Sequence, residues 1–96
     1  MKMKMTINGK RYDSDRCEKL ADRSHHTQGS NNYSGTTYLL LATDGTYLLW
    51  TDTNGQDCWL RDDLCVCEDP VEWLDGVYLK DEEEARLVEL GLIEMV

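Results

Sequence analysis

Cys17, Cys58, Cys65 and Cys67, with the adjacent pair His25-His26, are the residue types that zinc prefers, since four thiolates or imidazoles in tetrahedral array complete a structural site. Their spacing does not form such a set. Cys65 and Cys67 are separated by one residue rather than the two of a zinc knuckle, and Cys58 lies seven positions earlier than Cys65. Cysteines so placed read as small buried hydrophobes, and the two histidines, in a polar stretch, read as surface. A cysteine nucleophile needs a lowered pKa and a base beside it, and the sequence places no histidine against Cys17. Phosphate-loop, dinucleotide-binding and zinc-protease motifs do not occur. No catalytic residue, metal ligand or cofactor is assigned from the sequence, and an enzyme is not expected.

The carboxylates are the other chemically able set, and their distribution carries the functional signal. Thirteen acids fall within residues 57–96 against Arg61, Lys80 and Arg86, a net of −10, whereas residues 1–35 hold seven bases and four acids, a net of +3. The whole chain carries −9. A field of this kind repels nucleic acid and anionic membrane and favours a cationic protein surface. Duplex DNA presents roughly one negative charge per 1.7 Å of helix axis, a density that a carboxylate-studded surface can imitate. The candidate partner-binding residues are therefore Asp57, Asp62, Asp63, Glu68, Asp69, Glu72, Asp75, Glu82 and Glu83. The bland reading of the same residues is solubility, and the dipole of a helix accounts for Glu82–Glu84 without any function. Trp50, Trp59, Trp73 and five tyrosines could stack bases, but that requires a basic groove in a region that is acidic, so core or protein interface is the expected role.

Ninety-six residues with 41% hydrophobic content make one domain, residues 1–96, with a small core. The longest apolar run, residues 38–42, is far short of the roughly 20 needed to span a bilayer, and the first residues do not form a signal peptide. A cytoplasmic protein with reduced thiols is expected.

The elements that must position these groups follow from periodicity and turn residues. Met3, Met5 and Ile7 alternate with polar residues up to Asn8-Gly9, which predicts a hairpin returning through residues 10–12. Asp15 with Glu18 resembles a capping box, so a helix is expected over residues 14–23 with Cys17, Leu20 and Ala21 as its apolar stripe, followed by a loop over 24–35. Residues 36–43, 46–52 and 56–60, joined at Asp44-Gly45 and Asn54-Gly55, predict a three-stranded meander. With two-residue loops, Leu41 would face Leu48, and Trp50 would face Leu39 and Trp59. Both sheet faces are apolar, so each needs a cover. The expected first helix is too narrow to supply one, which leaves residues 64–79 folding over the sheet or, as the expected outcome, a homodimer. Residues 64–67 suit another strand, Asp69-Pro70 a helical turn through Trp73, residues 77–79 an edge segment, and residues 81–90 a helix capped by Asp81 with Glu84 and stopped by Gly91. The fold class is α+β, a central antiparallel β-meander with two flanking helices.

The segment Ile7-Asn8-Gly9-Lys10-Arg11-Tyr12-Asp13, then Thr37-Tyr38-Leu39, Asp44-Gly45-Thr46-Tyr47-Leu48-Leu49 and Glu83-Glu84-Ala85, resembles a family of small phage and mobile-element proteins. Their pattern is I-N-G-K-x-Y-D, a helix, a polar loop, a Tyr- and Leu-rich meander and an acidic C-terminal helix. Proteins of this kind occur among phage anti-defence factors, including anti-CRISPR proteins. The resemblance implies no catalytic residues. Taken with the acidic half of the chain, it leads to the expectation of an inhibitor whose partner is a basic nucleic-acid-binding protein such as a CRISPR effector subunit, with no direct contact to nucleic acid. The alternative from another class is a small zinc- or thiol-containing structural accessory protein.

Overall fold

The computed structural model describes residues 3–26, 33–52 and 63–96, with the backbone alone at 25, 26, 33 and 34. Strands β1 (Lys4–Ile7) and β2 (Lys10–Asp13) form the expected hairpin. Its turn residues Asn8 and Gly9 both take positive φ, +51° and +81°, the conformation that matches the twist of a tight hairpin. Met5 pairs with Tyr12, and Met3, Met5 and Ile7 lie on the inward side as their alternation predicts.

A short 3-10 turn at Ser14–Arg16 leads not into a helix but into strand β3 (Glu18–His26). The expected helix over 14–23 is therefore corrected, and so are the two ends of the expected loop over 24–35, where residues 24–26 and 33–35 are strand; residues 27–32 lie outside the described residues. β3 pairs antiparallel with β4 (Tyr33–Leu41), in a register from Glu18 opposite Leu41 to His26 opposite Tyr33. The misleading signal has a local cause. Lys19 pairs with Leu40 and Ala21 with Leu39, so Leu20 is the extra residue of a bulge. The bulge puts Leu20 and Ala21, both 1% exposed, into one cluster, which breaks strand alternation and imitates a helical stripe. Nine residues of β4 offering ladder hydrogen bonds then outweigh weak helix propensity.

β5 (Tyr47–Asp52) and β6 (Asp63–Val66) complete a four-stranded antiparallel sheet in the order β3-β4-β5-β6. The turn between β4 and β5 is one residue longer than expected. Ala42 donates to Thr46 O at 2.9 Å across Thr43-Asp44-Gly45, with Gly45 at φ +89°. The register moves accordingly: Leu41 pairs with Tyr47, Leu40 with Leu48, and Trp50 with Tyr38 and Leu64. The expected strand over 56–60, with Trp59 and the Asn54-Gly55 turn, lies outside the described residues.

Both sheet faces are apolar, as expected, and both are covered within the chain. On one face Tyr12, Leu40, Ala42, Leu48, Trp50 and Leu64 form a cluster closed by the β1-β2 hairpin. On the other, Leu20, Ala21, Leu39 and Cys67 pack with Leu74 and Leu87 of two helices, α1 (Pro70–Leu74) and α2 (Asp81–Glu89). Each fully buried leucine is worth about 1.5–3 kcal/mol relative to exposure, so the two clusters hold the layers together. The open face that motivated a homodimer is thus occupied by the hairpin and by part of the 64–79 segment.

Asp69 caps α1, its Oδ1 accepting from Glu72 N at 3.0 Å, with Pro70 in the first turn. Residues 77–79 form no strand. Lys80 rather than Asp81 is the N-cap of α2, and Glu83 rather than Glu84 reaches back, accepting from Lys80 N at 2.9 Å. Gly91, at φ +77°, ends the helix as expected. Leu92 N bonds Leu87 O and Gly91 N bonds Val88 O, each at 3.0 Å, closing the last carbonyls in a Schellman arrangement. The chain is α+β: a hairpin, an antiparallel sheet and a helical layer stacked in that order.

Candidate acidic interface

The layering sorts charge by face. The hairpin layer, residues 3–17, holds Lys4, Lys10, Arg11 and Arg16 against Asp13 and Asp15. The helical layer, residues 67–96, holds ten carboxylates against Lys80 and Arg86, a net of −8. Sequence asymmetry between the two ends of the chain has become asymmetry between the two sides of a sheet.

Much of the charge outside the helical layer is engaged locally. Asp44, in the β4-β5 turn, accepts from Thr46 N at 3.0 Å, Tyr12 Oη at 3.0 Å and Lys10 Nζ at 3.1 Å. These bonds, those from Thr46 foremost, hold its carboxyl well below the usual carboxylate range, and Asp44 in turn raises Lys10. The hairpin is thereby tied to the turn it covers. On the other side Arg86 donates from Nε and Nη2 to the two oxygens of Glu18 at 2.8 and 3.0 Å, and from Nη1 to Glu89 at 2.7 Å. This fork fastens α2 to β3 and depresses the Glu18 carboxyl.

One of the two cations in the helical layer is therefore committed. Of that layer's carboxylates, Glu89 alone forms an ion pair with another described residue. Asp69 and Glu83 are engaged in capping, and the others project into solvent or lie at partly exposed positions.

The structure gathers four of the nine sequence-predicted residues at one place. Glu68, Asp69, Glu72 and Asp75 line an open groove together with Arg23, Leu49, Val66, Cys67 and Trp73. The groove runs between α1 and the helix-side face of the sheet, from Arg23 on β3 to Val66 on β6. Asp63 stands exposed at the start of β6, opposite Thr51 and outside the groove lining. Glu82 and Glu83 lie in the first turn of α2, also outside it, with Glu82 exposed. Asp57 and Asp62 lie outside the described residues.

Arg23 is the charged groove residue that sequence reasoning missed, whereas Trp73 was expected in the core or at a protein interface. Arg23 places its guanidinium 5.3 Å from the Trp73 ring centroid and donates to the carbonyls of Trp73 at 3.2 Å and Asp75 at 3.3 Å. It thus caps the C-terminal end of α1 from a strand 50 residues away in sequence. The only sequence signal was the period-2 placement of Ala21 and Arg23, which the bulge at Leu20 conceals.

Cys17, Cys65 and Cys67 are all pushed above the ordinary thiol value, mainly by burial, so they are protonated at neutral pH. Cys17 donates to Asp13 O at 3.3 Å. Among the described residues no group of three or more His, Cys, Asp or Glu side chains is arranged to hold a metal ion. Cys58 and the side chains of His25 and His26 lie outside that set. Among the described residues no helix is long and apolar enough to cross a membrane. Comparison with family models, with curated proteins and with solved structures finds no match.

Proposed function

We propose that the protein is a small binding module that inhibits a nucleic-acid-handling protein by laying its acidic helical layer on that partner's cationic surface. The observation that carries this reading is the segregation of charge: ten carboxylates and two cations in the helical layer, residues 67–96, with Glu89 alone of the ten paired to a described cation. Asp69 and Glu83 cap helices and Glu89 pairs with Arg86, but the fold is held by two apolar clusters and the remaining carboxylates add little to its stability. What a dense, unneutralised carboxylate surface does well is steer and hold a basic partner, displacing counterions much as a nucleic-acid backbone would. The same field disfavours direct binding to nucleic acid. The sequence resemblance to phage anti-defence proteins points to a CRISPR effector or a comparable defence complex as the partner, and assigns the protein no catalytic step.

The test is direct binding to a purified CRISPR effector complex, followed by the effector's ability to engage its DNA target. The protein should bind, target engagement should fall, and affinity should drop sharply as salt rises from low to several hundred millimolar. An affinity indifferent to salt contradicts the electrostatic reading. Binding that leaves target engagement intact contradicts inhibition.

A further inference from the structure

We propose that the groove beneath α1 is a docking site for an arginine- or lysine-bearing segment of the partner protein, with the aliphatic stem lying on the groove's apolar lining and the cationic head among its carboxylates. The inference rests on the reading of the acidic layer as a partner-binding surface and adds where on that surface recognition is centred and by what chemistry.

The groove brings apolar lining together with four carboxylates and one cation. Leu49 and Trp73 supply apolar lining from the sheet and from α1, with Trp73 half-buried. Glu68, Glu72 and Asp75 are exposed and make no ion pair with another described residue, while the single lining cation is Arg23. Four carboxylates to one guanidinium leaves the lining complementary to positive charge. Arginine and lysine are the side chains that carry a cation on three or four methylenes and cover apolar surface with that stem. Arg23 already shows the contact within the chain, its guanidinium resting over the Trp73 ring and donating to backbone carbonyls.

Other occupants fit less well. A metal ion needs converging ligands, and among the described residues no group of three or more is arranged to supply them. A second copy of the chain also carries −9 and is repelled. The groove is open to solvent, which gives a small free cation little to bury against. A segment held in place by a larger protein does not face that limit.

The experiment uses the full chain, labelled with nitrogen-15 and titrated with a short amidated peptide alternating leucine and arginine. The matched peptide with glutamine for arginine, and spermidine, serve as the other arms. The expected result is saturable shifts of the Trp73 indole N–H, assigned through Trp73→Phe, and of the Val66, Cys67 and Glu72 amides. The double substitution Glu68→Gln, Glu72→Gln should weaken binding by about tenfold or more while the dispersed spectrum shows the fold intact. Shifts centred on the first turn of α2 with Trp73 unmoved would overturn the groove and leave the acidic-layer reading standing. Equal binding of the glutamine peptide overturns the cationic recognition. Spermidine matching the peptide overturns the protein segment as occupant. No shift anywhere with the arginine peptide counts against both the groove and the reading it rests on.

Discussion

The two layers that cover the sheet solve one problem by different means. The hairpin seals its face with Met3, Met5, Ile7 and Tyr12, and its polar groups are turned to fastening: Ser14 Oγ accepts from Met3 N at 2.9 Å, and Lys10 and Tyr12 meet Asp44. The helical layer seals the other face with Leu74, Leu87 and flanking apolar residues, and two arginines fasten it, Arg86 to Glu18 and Arg23 to the end of α1. Those attachments use few of its carboxylates. The difference separates charge that a fold uses from charge that it merely carries. In the hairpin layer much of the charge is structural, whereas in the helical layer it is in surplus and available to a partner.

The comparison is broken most forcefully by removing what both layers rest on. Trp50, 5% exposed on the hairpin side, and Leu87, fully buried on the helix side, each fill a packed cluster. Trp50→Ala should cost about 3–5 kcal/mol and Leu87→Ala about 2–5 kcal/mol, large fractions of the stability of a domain this size. Denaturant unfolding measures both. Hydrogen exchange should show α2 opening first in the Leu87 variant, and a parent-like midpoint for either would contradict the layered core.

A smaller effect sharpens the contrast at the level of the backbone. Gly91→Ala forces a side chain onto φ +77° at the end of α2, costing about 1–2 kcal/mol by the usual left-handed penalty. Its signature should be frayed amides in the last turn of α2 with the hairpin unchanged. Uniform loss of protection across the molecule would contradict that localisation.

The parts of this architecture that could be read from sequence are those with local causes. Asn8-Gly9 announces a hairpin because few residue pairs accept two positive φ angles, and Asp69-Pro70 and Gly91 mark helix ends because capping chemistry is confined to a few residues. The apolar double face of β4 and β5 was equally legible from Leu39, Leu40, Leu48 and Trp50. Residues 14–23 were not, since the bulge at Leu20 erases strand alternation and only pairing with β4 reveals it. The β4-β5 register slipped by one because Ala42 to Thr46 closes a longer turn than Asp44-Gly45 alone suggests. For the proposed site, net charge singled out Glu68, Asp69, Glu72 and Asp75 among its candidates, but not their place beside Trp73 and Arg23 in one groove. That placement depends on contact between segments 50 residues apart, which local pattern does not encode.

The smallest expected effects concern acid. Asp44 and Glu18 both have carboxyls depressed below their ordinary 3.8 and 4.5, Asp44 by its hydrogen bonds from Thr46 and Glu18 by its bond from Arg86. A depressed folded-state pKa gives stability that is fully present above the unfolded value and is lost as pH falls through the folded one. Stability should therefore decline below about pH 4.5, and Asp44→Asn and Glu18→Gln should each flatten that decline slightly. Because both groups are exposed, the changes are small. Thermal melts from pH 6 to pH 3 check the sign, and a steeper decline in either variant would contradict it.

The central claim is that the surplus carboxylates of the helical layer, and not the charges of the hairpin, engage the partner. It is tested most directly by affinity for the CRISPR effector complex at low salt, compared between two charge-reversed proteins. One carries Glu68→Lys and Glu72→Lys in the groove lining, and the other carries Lys4→Glu and Arg11→Glu on the hairpin. Both should retain the parent fold by circular dichroism. The account predicts that the first loses most of its affinity and its salt dependence, while the second binds as tightly as the parent or more so. Equal affinity in the groove variant and the parent, or loss confined to the hairpin variant, would contradict it.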